Sequence, residues 1–273
     1  MKNNLIRLDK LLVKKQFASS RTIAQTLIQE SRVYVNGITA QKSAAMVSQD
    51  AIIKVDVPEK NWVSRGAYKL LKAMEVFSIN ADGKRCIDIG ASTGGFTEVL
   101  LFFGAEKVYS IDVGYGQFAW KLRTNNKVKV MERTNARNLT IDMIDGEKAD
   151  IIVSDASFIS VTLLLPVMEN LLKDDGLIVL LVKPQFEAGR ERVGHGVITN
   201  PSLHIDILNE VINFIDNNTA LTVKGIDFSP IKGPEGNIEF LFLLKKENKE
   251  SPMTFNIPKL VEDAHAHASA HPY

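Results

Sequence analysis

Between Arg85 and Phe186 the chain lays down five short apolar runs: "RCIDIG", "KVYSIDVG", "VKVMER", "DIIVSDAS" and "GLIVLLVKPQF". Strands apolar at nearly every position are buried on both faces, and that requires helices above and below a parallel sheet. Segments with helical spacing, "AYKLLKAMEVF", "GFTEVLLFFG" and "SVTLLLPVMENLLKD", precede and separate them. From Ala67 onward the pattern predicts a doubly wound α/β sheet. After the helix "PSLHIDILNEVINFIDNN", the runs "LTVKGIDFS" and "NIEFLFLLKK" read as a terminal pair of strands, joined by the Gly/Pro-rich "PIKGPEG".

Residues 1–60 follow a different pattern and read as a small α+β unit. "RLDKLLVKKQF" and "SSRTIAQTLIQES" are two short helices; the second starts on a Ser cap and buries Ile23, Leu27 and Ile28. In "RVYVNGITA", Asn36-Gly37 lies between apolar alternations and marks a hairpin, since both residues tolerate positive φ. "DAIIKVDV" adds a strand. Residues 61–64 read as a linker, 65–247 as the large domain, and the polar, aperiodic 248–273 as a mobile tail.

Net charge is only +1, yet residues 1–60 hold ten Lys/Arg against five Asp/Glu. A basic small unit on a mildly acidic large one suits a polyanionic partner, although a solvated basic face would look the same. Arg7, Lys10 and Lys14 fall on one helical face, and Arg21 and Arg32 border the second helix. Such residues can neutralise phosphates without reading sequence. Trp62 reads as packing between the units, with stacking on a base as the alternative, and Arg65 as reaching either RNA or the crevice. No run of about 18 apolar residues and no apolar signal core occurs, so no membrane span or leader is expected. One cysteine, Cys86, excludes an internal disulfide framework and fits a reducing cytoplasm.

"DIGASTGGFT" sits between the first strand and the next helix. Gly90, Gly94 and Gly95 allow a tight turn and close approach to a ligand. The spacing is neither the dinucleotide G-x-G-x-x-G nor a Walker motif with its lysine, so a phosphate cradle is not expected. Asp112, closing "YSIDVG", can accept both ribose hydroxyls of a nucleoside. A nucleoside without a pyrophosphate points to S-adenosylmethionine. Asp88 would then face its methionine portion, the turn residues Ser92, Thr93 and Phe96 would surround it, and Asn135 could bond the adenine edge. An ordinary α/β turn is the plain alternative.

Ligands of such sheets sit beyond the carboxyl ends of the strands, where strand order reverses. Asp155 ends the fourth strand and Lys183 the fifth. Lys69 lies early in the first helix of the large unit, and Glu239 on a late apolar strand. Burying such groups singly is costly, so their convergence as a set suggests chemistry.

In these stretches the chain resembles the TlyA-type rRNA 2′-O-methyltransferases, which join an S4 RNA-binding domain to an FtsJ-like methyltransferase domain. "RLDKLL", "SRTIAQTLI" and "VYVNG" match the S4 part. "SRGAYKL", "DIGASTGGFT", "IDVG", "SDASFIS", "VKPQFEAGRERVG" and "GPEGNIEF" match the enzyme part. The resemblance covers about residues 5–245. It implies a Rossmann-like S-adenosylmethionine-dependent sheet, rRNA or ribosomal subunits as partner, and a Lys-Asp-Lys-Glu tetrad at Lys69, Asp155, Lys183 and Glu239. Lys183 is then the expected base for the 2′-hydroxyl, since burial and a neighbouring cation, Lys69, favour a neutral lysine. Asp155 and Glu239 would orient the lysines. His195 stands where relatives tend to carry lysine.

Three rivals remain. Some members of this family are labelled haemolysins, but the sequence lacks a membrane-active amphipathic segment. A non-enzymatic RNA-binding or assembly factor would not need the tetrad. A base-amino methyltransferase would want Asp/Asn-Pro-Pro-aromatic, and "DASF" has neither proline. His265, His267 and His271 read as part of the tail rather than a metal site.

Overall fold

The computed structural model describes residues 5–15, 17–18, 21–29, 31–55, 62–194, 196–246 and 253–270. The expected Ser cap, the Ile23 side chain, His195 and His271 lie outside that set.

The N-terminal unit comprises β1 (Leu5–Arg7), α1 (Leu8–Lys14), α2 (Arg21–Gln29), β2 (Val33–Val35), β3 (Ile38–Thr39), β4 (Met46–Ser48) and β5 (Ile53–Val55). Leu8, Leu12, Ala24, Leu27, Ile28 and Val33 form its core. Asn36 at φ 51° and Gly37 at φ 84° make the β2–β3 hairpin turn, as their sequence requires. Arg7 ends β1 rather than sharing the α1 face with Lys10 and Lys14. The reason is that "LIR" pairs with Met46–Ser48 as a strand.

The large unit opens with α3 (Ala67–Val76), β6 (Arg85–Ile89), α4 (Gly95–Phe102), β7 (Lys107–Ile111), α5 (Trp120–Arg123) and β8 (Val128–Met131). It continues with β9 (Ala149–Ser154), α6 (Leu165–Leu171), β10 (Leu172–Val182), α7 (Pro184–Glu187), α8 (Gly189–Val193) and α9 (Pro201–Asn218). β11 (Leu221–Phe228), β12 (Phe240–Lys246) and α10 (Ile257–Ala270) complete it. Seven strands form one sheet in the order β11-β12-β10-β9-β6-β7-β8. β6 to β10 are parallel, and β12 runs antiparallel to both its neighbours. The chain reverses direction across the sheet between β6 and β9, so their C-terminal ends flank the crevice.

Alternation along the strands sorts the core into two layers. Ile87, Ile152, Ile178 and Leu180 pack under α6 and α9, while Cys86, Ile151, Val153, Val179 and Leu181 pack under α3 and α4. The helix expected to run to Asp174 stops at Leu171, because Leu172 already pairs with Ala149 at the foot of β9.

Residues 257–270 overturn the reading of 248–273 as a mobile tail. They form a helix whose Ile257, Val261 and Ala264 are buried in the main core, against α9 and β11. The spacing i, i+4, i+7 was present in the sequence but diluted by the surrounding His, Ala and Asp residues. His265 Nε2 lies 2.9 Å from Nδ1 of the fully buried His204, and His267 Nε2 lies 3.1 Å from the Pro230 carbonyl. Among the described residues no group of three or more His, Cys, Asp or Glu is placed to hold a metal.

Candidate active site

Four charged side chains from four separate elements meet at the crevice. Lys69 enters from α3. Asp155 follows β9, Lys183 follows β10, and Glu239 stands one residue ahead of β12. Lys69 Nζ lies 2.7 Å from Glu239 Oε2 and 3.0 Å from Asp155 Oδ2. Lys183 Nζ lies 2.7 Å from Asp155 Oδ1. Asp155 thus bridges the two lysines, Lys183 on Oδ1 and Lys69 chiefly on Oδ2, with a longer 3.4 Å contact from Lys69 to Oδ1. Lys69, Lys183 and Glu239 are nearly sealed from solvent, with side-chain exposures of 7%, 6% and 1%, whereas Asp155 keeps 19%.

Burial works against the charge on Lys69, but the carboxylates of Asp155 and Glu239 outweigh it and raise its pKa above the ordinary lysine value. Burial also raises the Glu239 carboxyl above the usual glutamate range, against the pull of Lys69. Glu239 Oε1 is buried and accepts no hydrogen bond among the described residues. Gly233 makes room for it: a Cβ there would come 2.6 Å from Oε1.

Lys183 Nζ also donates to the Asp155 carbonyl oxygen at 3.1 Å and to Ser157 Oγ at 2.7 Å. The segment after Asp155 is fastened to α7 further on. Ser160 Oγ donates to Glu187 Oε2 at 2.6 Å, and the Val161 N–H donates to Glu187 Oε1 at 2.9 Å. Burial raises the Glu187 pKa, with both hydrogen bonds opposing it. Between these ties stands Phe158, at φ 64° and 88% exposed, its ring 5.1 Å from that of Phe186. Positive φ is rare for a bulky residue and marks local strain.

The glycine-rich turn forms the adjoining wall. The cleft encloses about 260 Å³, and Gly90, Ser92, Thr93, Gly95 and Phe96 line it together with Arg65, Lys69, Asp155 and Lys183. Gly90 has φ 81°, and a Cβ there would meet the Ala156 backbone at 2.9 Å, so only glycine lets the turn close against the residue after Asp155. Gly94, at φ 97°, lies against Leu122 and Phe118 rather than lining the cleft. Asp112 follows β7, and its two oxygens accept the N–H groups of Ser92 and Gly114, each at 2.7 Å. A carboxylate has about four lone-pair positions, so half its capacity stays available to a ligand. Asn135 caps a short 3₁₀ turn by accepting the Arg137 N–H at 3.0 Å.

Asp88 departs from expectation. It is fully buried on the α4 side of β6, where its Oδ2 accepts the Thr97 hydroxyl at 2.6 Å. It therefore does not face the cleft. Strand alternation puts Asp88 on the same face as Cys86, beneath α4. Burial, partly offset by Thr97, pushes its pKa up to about 7.

On the N-terminal unit, Asp9 is completely buried and gathers the expected arginines: Arg7 Nη2 and Arg21 Nη2 each lie 2.9 Å from its Oδ2. The Arg7 hydrogen bond, then that of Arg21, holds the Asp9 carboxyl well below the usual range despite its burial. Lys10 and Lys14 are exposed, Lys14 reaching Gln49 at 2.6 Å, and Arg32 is half-buried. The sequence reading did not single out Glu187, Phe158 or Lys232, which also lines the cleft. An aromatic three residues after a strand-ending Asp was the only available signal for Phe158.

The FtsJ-like methyltransferase family model matches residues 62–246, and the S4 domain model matches residues 6–53. The chain is 45% identical over 243 residues to the 16S/23S rRNA (cytidine-2′-O)-methyltransferase TlyA of Mycobacterium tuberculosis, covering 88% of this chain and 90% of that one. It is 41% identical to Hemolysin A of Brachyspira hyodysenteriae, over 86% of this chain and 98% of the relative. A solved structure of a candidate hemolysin from Streptococcus thermophilus matches 99% of both chains, with TM-score 0.72 and 37% identity. With both domain models in series and these relatives matched along most of their length, the chain belongs to the TlyA-type rRNA 2′-O-methyltransferase family.

Proposed function

We propose that this protein methylates the 2′-hydroxyl of a ribose, most consistently that of a cytidine, in ribosomal RNA, using S-adenosylmethionine. The observation that carries the reading is the convergence of Lys69, Asp155 and Lys183 on a cleft that also contains the glycine-rich turn, with Glu239 buried behind Lys69 and paired to it. The names of the relatives support the substrate class.

The residues fit the cofactor. Gly90, Ser92, Thr93 and Gly95 line the cleft, and Asp112, which accepts the Ser92 N–H, has lone pairs left for ribose hydroxyls. When bound, S-adenosylmethionine supplies an activated methyl group. The protein has little covalent work to do, so positioning the acceptor and removing its proton are its main tasks.

Lys183 takes that proton. A 2′-hydroxyl is a very weak acid, and the base must lie within hydrogen-bond reach of it. Lys183 Nζ stands at the cleft wall on a strand end, held by Asp155. Lys69, kept protonated by two carboxylates, fixes Asp155 from the other side. Phe158 offers an exposed ring beside the cleft on which an unstacked base can lie. Arg65 and the S4 arginines grip phosphates, with rRNA in the cytoplasm as the setting.

Lys183→Ala tests the role. Turnover is expected to fall by about 10²- to 10⁴-fold, with cofactor affinity retained. Near-normal turnover with the cofactor bound would remove Lys183 as base.

The hemolysin names among the relatives raise one alternative. Among the described residues no helix is long and apolar enough to cross a membrane. Robust dye leakage from liposomes at low protein concentration would favour the lytic reading.

A further inference from the structure

A protonated lysine has three N–H donors and no acceptor. Lys183 has three protein acceptors in reach: Asp155 Oδ1 at 2.7 Å, the Asp155 carbonyl at 3.1 Å and Ser157 Oγ at 2.7 Å. Its hydrogen-bonding capacity is therefore filled by the protein. To act as a base, the nitrogen must release one of these protons to solvent and then receive a hydrogen bond from the substrate hydroxyl, so one of these acceptors has to leave.

The three are not equally free to do so. The Asp155 carbonyl belongs to backbone fixed at the end of β9, where the Asp155 N–H donates to the Ile89 carbonyl at 3.1 Å. The Asp155 carboxylate is held from its other oxygen by Lys69. Ser157 is exposed, lines the cleft, and needs only a side-chain rotation to withdraw. It is also the only one of the three that shares the substrate's functional group. Like a ribose 2′-OH, its hydroxyl can accept from an ammonium and donate to an amine.

From this geometry we infer that Ser157 is a stand-in for the substrate: its hydroxyl occupies the hydrogen-bonding position on Lys183 that the target 2′-hydroxyl takes over when RNA binds. The exchange leaves the number of hydrogen bonds to Lys183 unchanged. It keeps the buried nitrogen satisfied when RNA is absent, and it makes a hydroxyl at the target position a requirement for displacing Ser157. The Ser160 and Val161 bonds to Glu187 anchor the far end of the segment, so the change is confined to residues 156–159. The inference rests on Lys183 being the base.

The experiment pairs Ser157→Ala with an rRNA fragment carrying the mapped target ribose either as 2′-hydroxyl or as 2′-deoxy. Affinity for both RNAs and the methyl-transfer kinetics are measured. Removing a competing hydrogen bond should tighten binding of the 2′-hydroxyl RNA by about three- to tenfold, with KM lowered and kcat retained. The 2′-deoxy RNA cannot fill the position, so its affinity should gain nothing. Equal effects on both RNAs, no effect on either, or a tenfold loss of kcat would overturn the inference. A parallel Lys183→Ala measurement separates the two claims. If that variant is inactive while Ser157→Ala behaves like wild type, the base survives and the stand-in does not. If Lys183→Ala is active, the base assignment itself falls, and the stand-in with it.

Discussion

Lys69 Nζ and Glu239 Oε2 lie 2.7 Å apart inside the protein as an ion pair, and neither Glu239 oxygen has a well-aligned hydrogen-bond partner among the described residues. A pair so placed contributes orientation more than stability, since desolvation offsets much of the Coulomb gain. Glu239→Gln leaves Lys69 its second partner, Asp155, and removes a carboxyl that burial already disfavours. Thermal stability should therefore change little. A misplaced Lys69–Asp155 unit should lower kcat by about 100-fold. Differential scanning fluorimetry beside methyl-transfer kinetics checks both halves.

Asp88 gives the fold a distinctive pH response. Its folded pKa is about 7 against 3.8 as the reference value. Between those values the unfolded chain is ionised at Asp88 while the native protein holds the proton. Native protein thus binds more protons, and stability falls as pH rises from about 4 towards 7. Asp88→Asn should flatten this slope in urea unfolding, with a wild-type change on the order of a few kcal/mol attributable to this group. An unchanged slope would mean that Asp88 is ionised in the native protein.

Phe158 combines strain with exposure. Replacing it by Gly relieves a positive φ of 64° and removes little buried surface, since the side chain is 88% exposed. The variant should be as stable as wild type or slightly more so. Loss of a ring that stacks on a base should weaken RNA binding by about 10-fold or more. Binding assays with rRNA fragments, run beside thermal melts, test the trade.

Asp9 organises the S4 surface. Asp9→Ala releases Arg7 and Arg21 from a shared oxygen and leaves a buried gap between them. The N-terminal unit should lose about 1–2 kcal/mol, discounted for the exposure of both arginines. RNA affinity should fall, because the guanidinium groups are no longer pre-positioned for phosphates. The wild-type Asp9 contribution is present above the carboxylate's unfolded pKa and is lost as pH falls below about 4. Acid titration of the variant against wild type reads that difference.

The meeting of Asp155 and Lys183 at the crevice was legible because parallel strands carry polar groups at their C-terminal ends, and each of the two terminates an apolar run. The Asn36-Gly37 hairpin followed from φ preference, and the core on both faces of the sheet from strands apolar at nearly every position. Asp88 was misplaced because a strand's period assigns a face, and that face lies under α4 rather than in the cleft. α10 was missed because its three core contacts, Ile257, Val261 and Ala264, lie within a run dominated by polar and small residues. The Ser157–Lys183 and Glu187–Ser160 contacts join residues 26 and 27 positions apart. They depend on how a loop folds back on a helix, which no local pattern specifies.

Methyl transfer to the ribose is the central claim, and the position of the transferred group tests it most directly. Purified protein is incubated with labelled S-adenosylmethionine and ribosomal subunits lacking the modification, and the labelled nucleotide is isolated and digested. The expected product carries the label on a ribose 2′-oxygen, and Asp155→Ala gives none. Label on a base, or transfer undiminished in Asp155→Ala, would contradict the assignment of Lys69, Asp155, Lys183 and Glu239 as the machinery of 2′-O-methylation.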